Sequence, residues 1–236
     1  MATPARGFGQ PAQTVEAQTA GEPETANVIS DFAQDLHEHI RAGYQFLFIQ
    51  THEESRAEAE INSVAARQGT TVVTWDIFEG FSNIKLSEEP KFANPLFALA
   101  ELVNPESKYF KDNDKSGDHI FVFRDLPNLW ADPGVRRRLR TMSEGNRCVN
   151  KRHRRPVIVI SPNGSIHPEL RSVFTMLSFA LPNHEQMMKR VDFVRISIEG
   201  KKGKTASTAL TPDLHELIST NLLGLTSTEA ENCLSR

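Results

Sequence analysis

The chain has 236 residues, 39% of them hydrophobic, and a formal net charge of −3, which suits one α/β domain with a small appendage or two modest domains and argues against a surface built throughout for polyanions. Two cysteines, Cys148 and Cys233, exclude a disulfide scaffold and have no metal-ligand spacing, so a reducing, cytoplasmic setting is expected. The longest apolar runs, Phe46–Ile49 and Pro156–Ile160, fall far short of the ~20 residues a membrane span needs.

Residues 1–28 are rich in Ala, Thr, Gln, Pro and Gly, with three glutamates against one arginine and no apolar block. They match neither a secretory signal nor a transit peptide and read as a disordered tail. Regular patterning begins at Ile29. Ser30-Asp31 caps a helix carrying Phe32, Leu36 and Ile40, which ends at a turn on Gly43. Tyr44–Ile49 is a nearly continuous apolar strand of the kind buried on both faces of a parallel sheet. Thr51 then caps a helix over His52–Gln68 with Ala57, Ile61, Val64 and Ala65 on one side, and Gly69 stops it.

A second strand spans Thr70–Trp75, and Glu79 to Pro95 reads as loop before a helix opened by Pro95. Polar residues from Lys108 to Asp118 precede a third strand, His119–Phe123, which runs into Arg124-Asp125-Leu126-Pro127. A helix over Val135–Ser143, a fourth strand over Pro156–Ile160 and a helical turn at Pro168 follow. Leu177–Leu181 is the fifth strand, and the helix after Pro182-Asn183 carries Met187, Met188 and Val191. Beyond it lie a helix opened by Thr211-Pro212 and another opened by the capping-box pair Thr226 and Glu229. Strands alternating with helices predict βαβ units and a mostly parallel, doubly wound sheet.

Gly203-Lys204-Thr205 ends as a phosphate-binding loop does, but the full pattern needs glycine at 198, where Ile198 stands. A P-loop helix would also start at this point, whereas Pro212 delays the next helix. Gly200–Thr205 is therefore expected to be a flexible basic loop.

Several segments together resemble the N-terminal half of the AAA-type ATPases known from cyanobacteria, plastids and some phages. They are Phe46–Glu54 (FLFIQTHEE), Phe121–Asp125 (FVFRD), Val135–Arg140, Val157–Pro162, Pro168–Leu170, Phe179–Pro182 and Gly224–Asn232. The resemblance implies an α/β, three-layer, P-loop-NTPase-like sandwich around a parallel five-stranded sheet, with a small helical lid-like end. In that family a degenerate ATPase-like domain precedes a second AAA domain with a working P-loop; relative to it this chain stops early, in a helical part that reads as truncated. The expected domains are 29–184, the AAA-like unit without a P-loop, and 185–236, the small helical subdomain.

By the same resemblance, ATP and magnesium would meet the chain near Thr51, Asp125, Ser161 and Asn163. Yet Gln50-Thr51-His52-Glu53-Glu54 has no glycine for close backbone approach and no lysine. Its two glutamates put negative charge where phosphate would sit, and there they favour the helix dipole instead. Asp125 stands at the magnesium-associated position but is followed by Leu126, not by the glutamate that positions water. Asp125 also reads as a cap for the turn into Pro127, and Ser161–Gly164 as an ordinary turn. No catalytic residue and no cofactor are expected for this chain itself.

From Arg136 to Arg155 nine cations face one glutamate: Arg136, Arg137, Arg138, Arg140, Arg147, Lys151, Arg152, Arg154 and Arg155 against Glu144. Such a segment suits a solvated face, a subunit or partner contact, or nucleic-acid phosphates, although it lacks interleaved aromatics. The eight histidines form no metal constellation, and Cys148 with His153 lacks a third orienting group for nucleophilic catalysis. The leading expectation is a degenerate ATPase-like module for assembly, regulation or substrate presentation. It would self-associate or pair with an AAA domain on another chain. An ATP-hydrolysing protein with an atypical site and a nucleic-acid-binding module stand as alternatives.

Overall fold

The computed structural model describes residues 30–82, 90–102, 119–144, 155–202 and 210–235, with backbone alone at 90 and 199–202. Outside the described residues lie the tail at 1–28, the polar loop at 108–118, Cys148, His153 and Gly203–Thr205. So do Arg147, Lys151, Arg152 and Arg154 of the basic segment.

Helix α1 (Asp31–Ala42) begins where the sequence places it, with the Ser30 hydroxyl accepting the Ala33 N–H at 3.1 Å. It closes on Gly43, whose φ of 88° is a left-handed conformation that glycine adopts without a Cβ clash. Strand β1 (Phe46–Gln50) leads into α2 (Glu54–Gln68), then β2 (Thr71–Asp76) and a two-residue strand β3 (Gly80–Phe81). Helix α3 (Pro95–Glu101) precedes β4 (His119–Arg124), α4 (Pro133–Glu144) and β5 (Val157–Ser161). Strand β6 (Thr175–Leu177), α5 (His184–Lys202), α6 (Pro212–Asn221) and α7 (Ser227–Leu234) complete the described elements.

The sheet order is β3-β2-β4-β5-β1-β6, parallel throughout except for the antiparallel edge pair β2–β3. The expected five parallel strands are present, and the sixth is the short β3. Its Phe81 pairs with Trp75 inside a stretch that reads as loop because two residues carry no periodicity. The fifth expected strand, Leu177–Leu181, needs correction: the pairing residues are Thr175–Leu177, against Leu47–Ile49 of β1. Phe179 has already left the sheet and sits edge-on to Phe32, ring centroids 4.8 Å apart.

The central strands are buried on both faces, as continuous apolar runs require, but the two faces differ in kind. Phe46, Phe48, Trp75, Phe121 and Phe123 point toward α3 and α4, where Phe81, Phe92, Trp130 and Phe174 join them. Leu47, Ile49, Ile120, Val122, Ile158 and Ile160 point the other way, onto Ala57, Ile61 and Val64 of α2 and Leu36 and Ile40 of α1. One core layer is aromatic and the other aliphatic. Each such fully buried side chain contributes about 1.5–3 kcal/mol relative to exposure. Within the aromatic layer the indole N–H of Trp75 donates to the Phe92 carbonyl at 2.6 Å, so a large ring is buried with its polar atom satisfied.

A third, smaller core joins Met187 and Val191 of α5 to Leu222 and to Ala230 of α7. The basic stretch expected as a loop starts helical: Gly200–Lys202 form the last turn of α5, which runs straight through Ile196-Ser197-Ile198. Thr226 and Glu229 form the capping box that opens α7.

Candidate functional site at the carboxyl edge of the sheet

The chain leaves β1 toward β2 on one side of the sheet, and after β5 it crosses to β6 on the other side of β1. Ligands of open α/β sheets bind outside the carboxyl ends of strands at such a switch point. Gln50-Thr51, Arg124-Asp125 and Ser161 end the three adjacent strands here.

Thr51, Asp125, Ser161 and Asn163 form one hydrogen-bonded chain. The Thr51 N–H donates to the Ser161 carbonyl at 3.1 Å and the Asp125 N–H to the Ile160 carbonyl at 3.0 Å. The buried Ser161 hydroxyl donates to Asp125 Oδ1 at 2.9 Å and accepts the Asn163 N–H at 3.3 Å. Asn163 Oδ1 accepts the Ser165 N–H at 3.1 Å. Asp125 does not cap the turn into Pro127 with its side chain, as the sequence suggests; its carboxylate is turned to Ser161 and its carbonyl accepts Asn128 N–H. Its φ of 52° makes it the one non-glycine residue with positive φ among the described residues. Asp tolerates this region better than most side chains.

At the β1–α2 turn the geometry departs from a phosphate loop. Thr51 does not cap α2, which starts at Glu54; its hydroxyl accepts the Glu53 N–H at 3.0 Å within the turn. The Gln50 carboxamide lies against Gly164, where any Cβ would collide with it. Glu53 is 7% exposed. One of its carboxylate oxygens accepts Nε and Nη2 of Arg56 at 3.0 and 2.6 Å, and the other accepts the Ser227 N–H at 2.6 Å. Burial pushes its carboxyl up, but the Arg56 bonds and those from Ser227 outweigh that and hold it below the ordinary value.

Beside it, Arg124 at the end of β4 reaches Glu54 at 2.9 Å, both oxygens of Glu58 at 2.7 and 2.9 Å, and Asp76 at 3.7 Å. The Glu58 bonds hold its guanidinium firmly charged against the cost of burial. Burial raises the Glu54 carboxyl, Arg124 opposes that, and Glu58, Asp125 and Asp76 add to the rise. One guanidinium thus gathers three carboxylates, two from the first turns of α2 and one from the end of β2. Glu53 and Glu54 are legible in the sequence as acidic residues at the head of a helix, but the guanidiniums that hold them, Arg56 and Arg124, are not. The i, i+4 spacing of Glu54 and Glu58, with Arg124 directly before Asp125, is the available signal.

The basic segment is partly used within the chain. Glu169 accepts Arg136 Nε and Arg140 Nη2, each at 3.2 Å, and Arg136 also bonds the carbonyls of Trp130 and Ala131. Arg137 is exposed, Arg138 and Arg155 are half-buried, and Arg154 lies outside the described residues. Among the described residues no group of His, Cys, Asp and Glu could hold a metal ion, and no helix is long and apolar enough to cross a membrane.

Residues 32–179 match the family model of the SpoVK-like AAA ATPase N-terminal domain. The chain is 25% identical over 161 residues to the AAA domain-containing protein ycf46 of Trieres chinensis, covering 68% of this chain and 30% of that protein. It is 26% identical over 165 residues to ycf46 of Guillardia theta, covering 70% of this chain and again 30% of its relative. The chain therefore spans about a third of the length of these relatives. Among solved structures, the FIGL-1 AAA domain in complex with ADP superimposes with a TM-score of 0.55 at 15% identity, over 88% of this chain and 65% of that one. The Thermotoga maritima RuvB Holliday junction branch migration motor gives 0.52 at 12% identity, over 87% and 58%. At these identities the two structures speak for the fold alone.

Proposed function

We propose that this chain, which belongs to the family of SpoVK-like AAA ATPase N-terminal domains, is a degenerate ATPase-like module. It serves assembly, regulation or substrate presentation and does not hydrolyse ATP by itself. The observation that carries this reading is the β1–α2 turn. A P-loop there needs glycines whose N–H groups surround phosphate and a lysine that reaches it. This chain has Gln50-Thr51-His52-Glu53-Glu54, with Glu53 buried and Glu54 and Glu58 gathered around Arg124.

Thr51, Asp125, Ser161 and Asn163 are then a structural remnant. They knit the strand ends together where the fold would otherwise position magnesium and the γ-phosphate. We place the division between an AAA-like unit at 29–184 and a helical subdomain at 185–236, supported by the separate Met187–Val191–Leu222–Ala230 core. The partner that fits this reading is another copy of the chain or an AAA domain on a different chain, in a cytoplasmic setting. Membership of an AAA ATPase family is consistent with such self-association. The pairing of Arg136 and Arg140 with Glu169 weighs against the 136–155 segment as a nucleic-acid surface.

Titration with a fluorescent ATP analogue and magnesium tests the reading. The expected result is no saturable binding up to roughly 1 mM, a free energy of about −4 kcal/mol. Magnesium-dependent binding in the micromolar range that Asp125→Ala removes would overturn it in favour of an atypical active site.

A further inference from the structure

Among the described residues, the helical unit meets the sandwich along a polar stripe made by the N-cap residue Glu53 and by Arg56 and Glu60 of α2. Glu53, Arg56 and Glu60 lie at i, i+3 and i+7, which puts them on one face of the helix. Glu53 binds the N-terminal N–H of α7 through Ser227. Arg56 donates to the Ala180 carbonyl in the connection between β6 and α5, and its guanidinium lies 3.9 Å from the ring centroid of Phe179. Glu60 accepts Gln186 Nε2 of α5 at 3.4 Å and the Ser30 hydroxyl before α1 at 2.8 Å. The apolar core of the helical unit is distinct from both sheet cores.

A helix N-terminus presents unpaired N–H groups and a partial positive charge, and an anion normally satisfies both. At α7 the capping box takes part of that demand: Thr226 Oγ1 accepts Glu229 N–H, and the Glu229 carboxylate accepts Thr226 N–H. The Ser227 and Thr228 N–H groups are outside the capping box, and that of Ser227 points to a carboxylate from a different structural unit, 174 residues away in sequence. Arg56 neutralises the same carboxylate from the other side. Burying an unpaired carboxylate would be costly, so Glu53 stays buried only while both partners are in place.

We propose that Glu53 is a built-in anion that latches the helical unit onto the sandwich by holding the N-terminus of α7 and the guanidinium of Arg56 at once. The helical unit then keeps its closed position without any ligand between the two parts. Opening requires the carboxylate to be released from α7 while it remains paired with Arg56. This stands whether or not nucleotide binds elsewhere on the chain, because the latch is read in the unliganded protein and nucleotide binding is read by titration.

Hydrogen exchange followed by mass spectrometry on the full chain tests it with two variants. Glu53→Gln removes the charge and leaves one acceptor facing two sets of donors. Ser227→Pro removes the N–H itself at the first helical position, where proline is tolerated. In both, amides of 210–235 are expected to exchange roughly tenfold faster or more, the loss of about one hydrogen bond to a charged group. Amides of β4 and β5 should keep wild-type rates. Should Glu53→Gln fail to fold, Ser227→Pro alone decides. Unchanged exchange at 210–235 in a folded variant overturns the latch, as does an equal acceleration in the sheet, which would mean general destabilisation.

Discussion

Asp125 separates a structural remnant from a working site by a comparison of three substitutions. Its backbone is left-handed at φ 52°, ψ 24°, and its carboxylate accepts the hydroxyl of Ser161, a residue 1% exposed. Asp125→Ala puts a Cβ-bearing residue without local hydrogen bonding into that conformation, which costs about 1 kcal/mol beyond what Asp pays there. It also leaves the buried hydroxyl without an acceptor, about 1–3 kcal/mol. The sum, about 2–4 kcal/mol, corresponds to a fall in Tm on the order of 10 °C for a chain of this size. Asp125→Asn keeps an Oδ1 acceptor and a side chain suited to the left-handed region, so its cost should stay below about 1 kcal/mol. Asp125→Gly falls between, because it relieves the backbone but loses the bond to Ser161. Thermal unfolding followed by circular dichroism, with urea titrations for the free energies, measures all three. If Asn proves as damaging as Ala, the negative charge itself is what the site needs, and Asp125 is more than a hydrogen-bond acceptor for Ser161.

Arg124→Ala leaves Glu54, Glu58 and Asp76 facing one another. Since Arg124 is about a third exposed, the loss at neutral pH should lie between exposed-pair and buried-pair values, about 1–3 kcal/mol. Burial already raises the folded-state carboxyl of Glu54, so its contribution is fully present below the ordinary carboxylate range and lost as pH rises through the folded value. Removing Arg124 strengthens that trend. The variant's deficit should therefore shrink as urea titrations move from neutral pH down into the carboxylate range, and a pH-independent deficit would contradict it. Trp75→Phe removes the donor to the Phe92 carbonyl and part of a ring 1% exposed. A loss of about 2–4 kcal/mol is expected in urea unfolding followed by circular dichroism.

What could be read along the chain was whatever local chemistry fixes. Ser30 and Gly43 bound α1, Gly69 ends α2, and Thr226 with Glu229 opens α7, because caps act within a few residues of themselves. The apolar runs of β1, β4 and β5 mark buried parallel strands for the same reason: residues flanked on both faces must all be apolar. Misreadings fall where two local patterns compete. Leu177-Ser-Phe-Ala-Leu181 alternates as a strand does, yet only the edge of β1 decides that Thr175–Leu177 pair, while Phe179 goes to Phe32 and Arg56. Gly200 opens the stretch expected as a basic loop, but α5 continues through it to Lys202.

For the candidate site, sequence alone determined which groups are missing at the β1–α2 turn: no glycine, no lysine, and two glutamates at the head of a helix. That is a matter of residue type, and no fold can restore it. Tertiary structure decided what the remaining groups do instead. Glu53 meets Ser227 and Arg56, Glu54 and Glu58 meet Arg124, and Asp125 meets Ser161, through pairings between elements far apart in the chain. Hydrogen bonds and ion pairs act over a few ångströms, so their partners are set by how the sheet orders its strands and where the helical unit comes to rest.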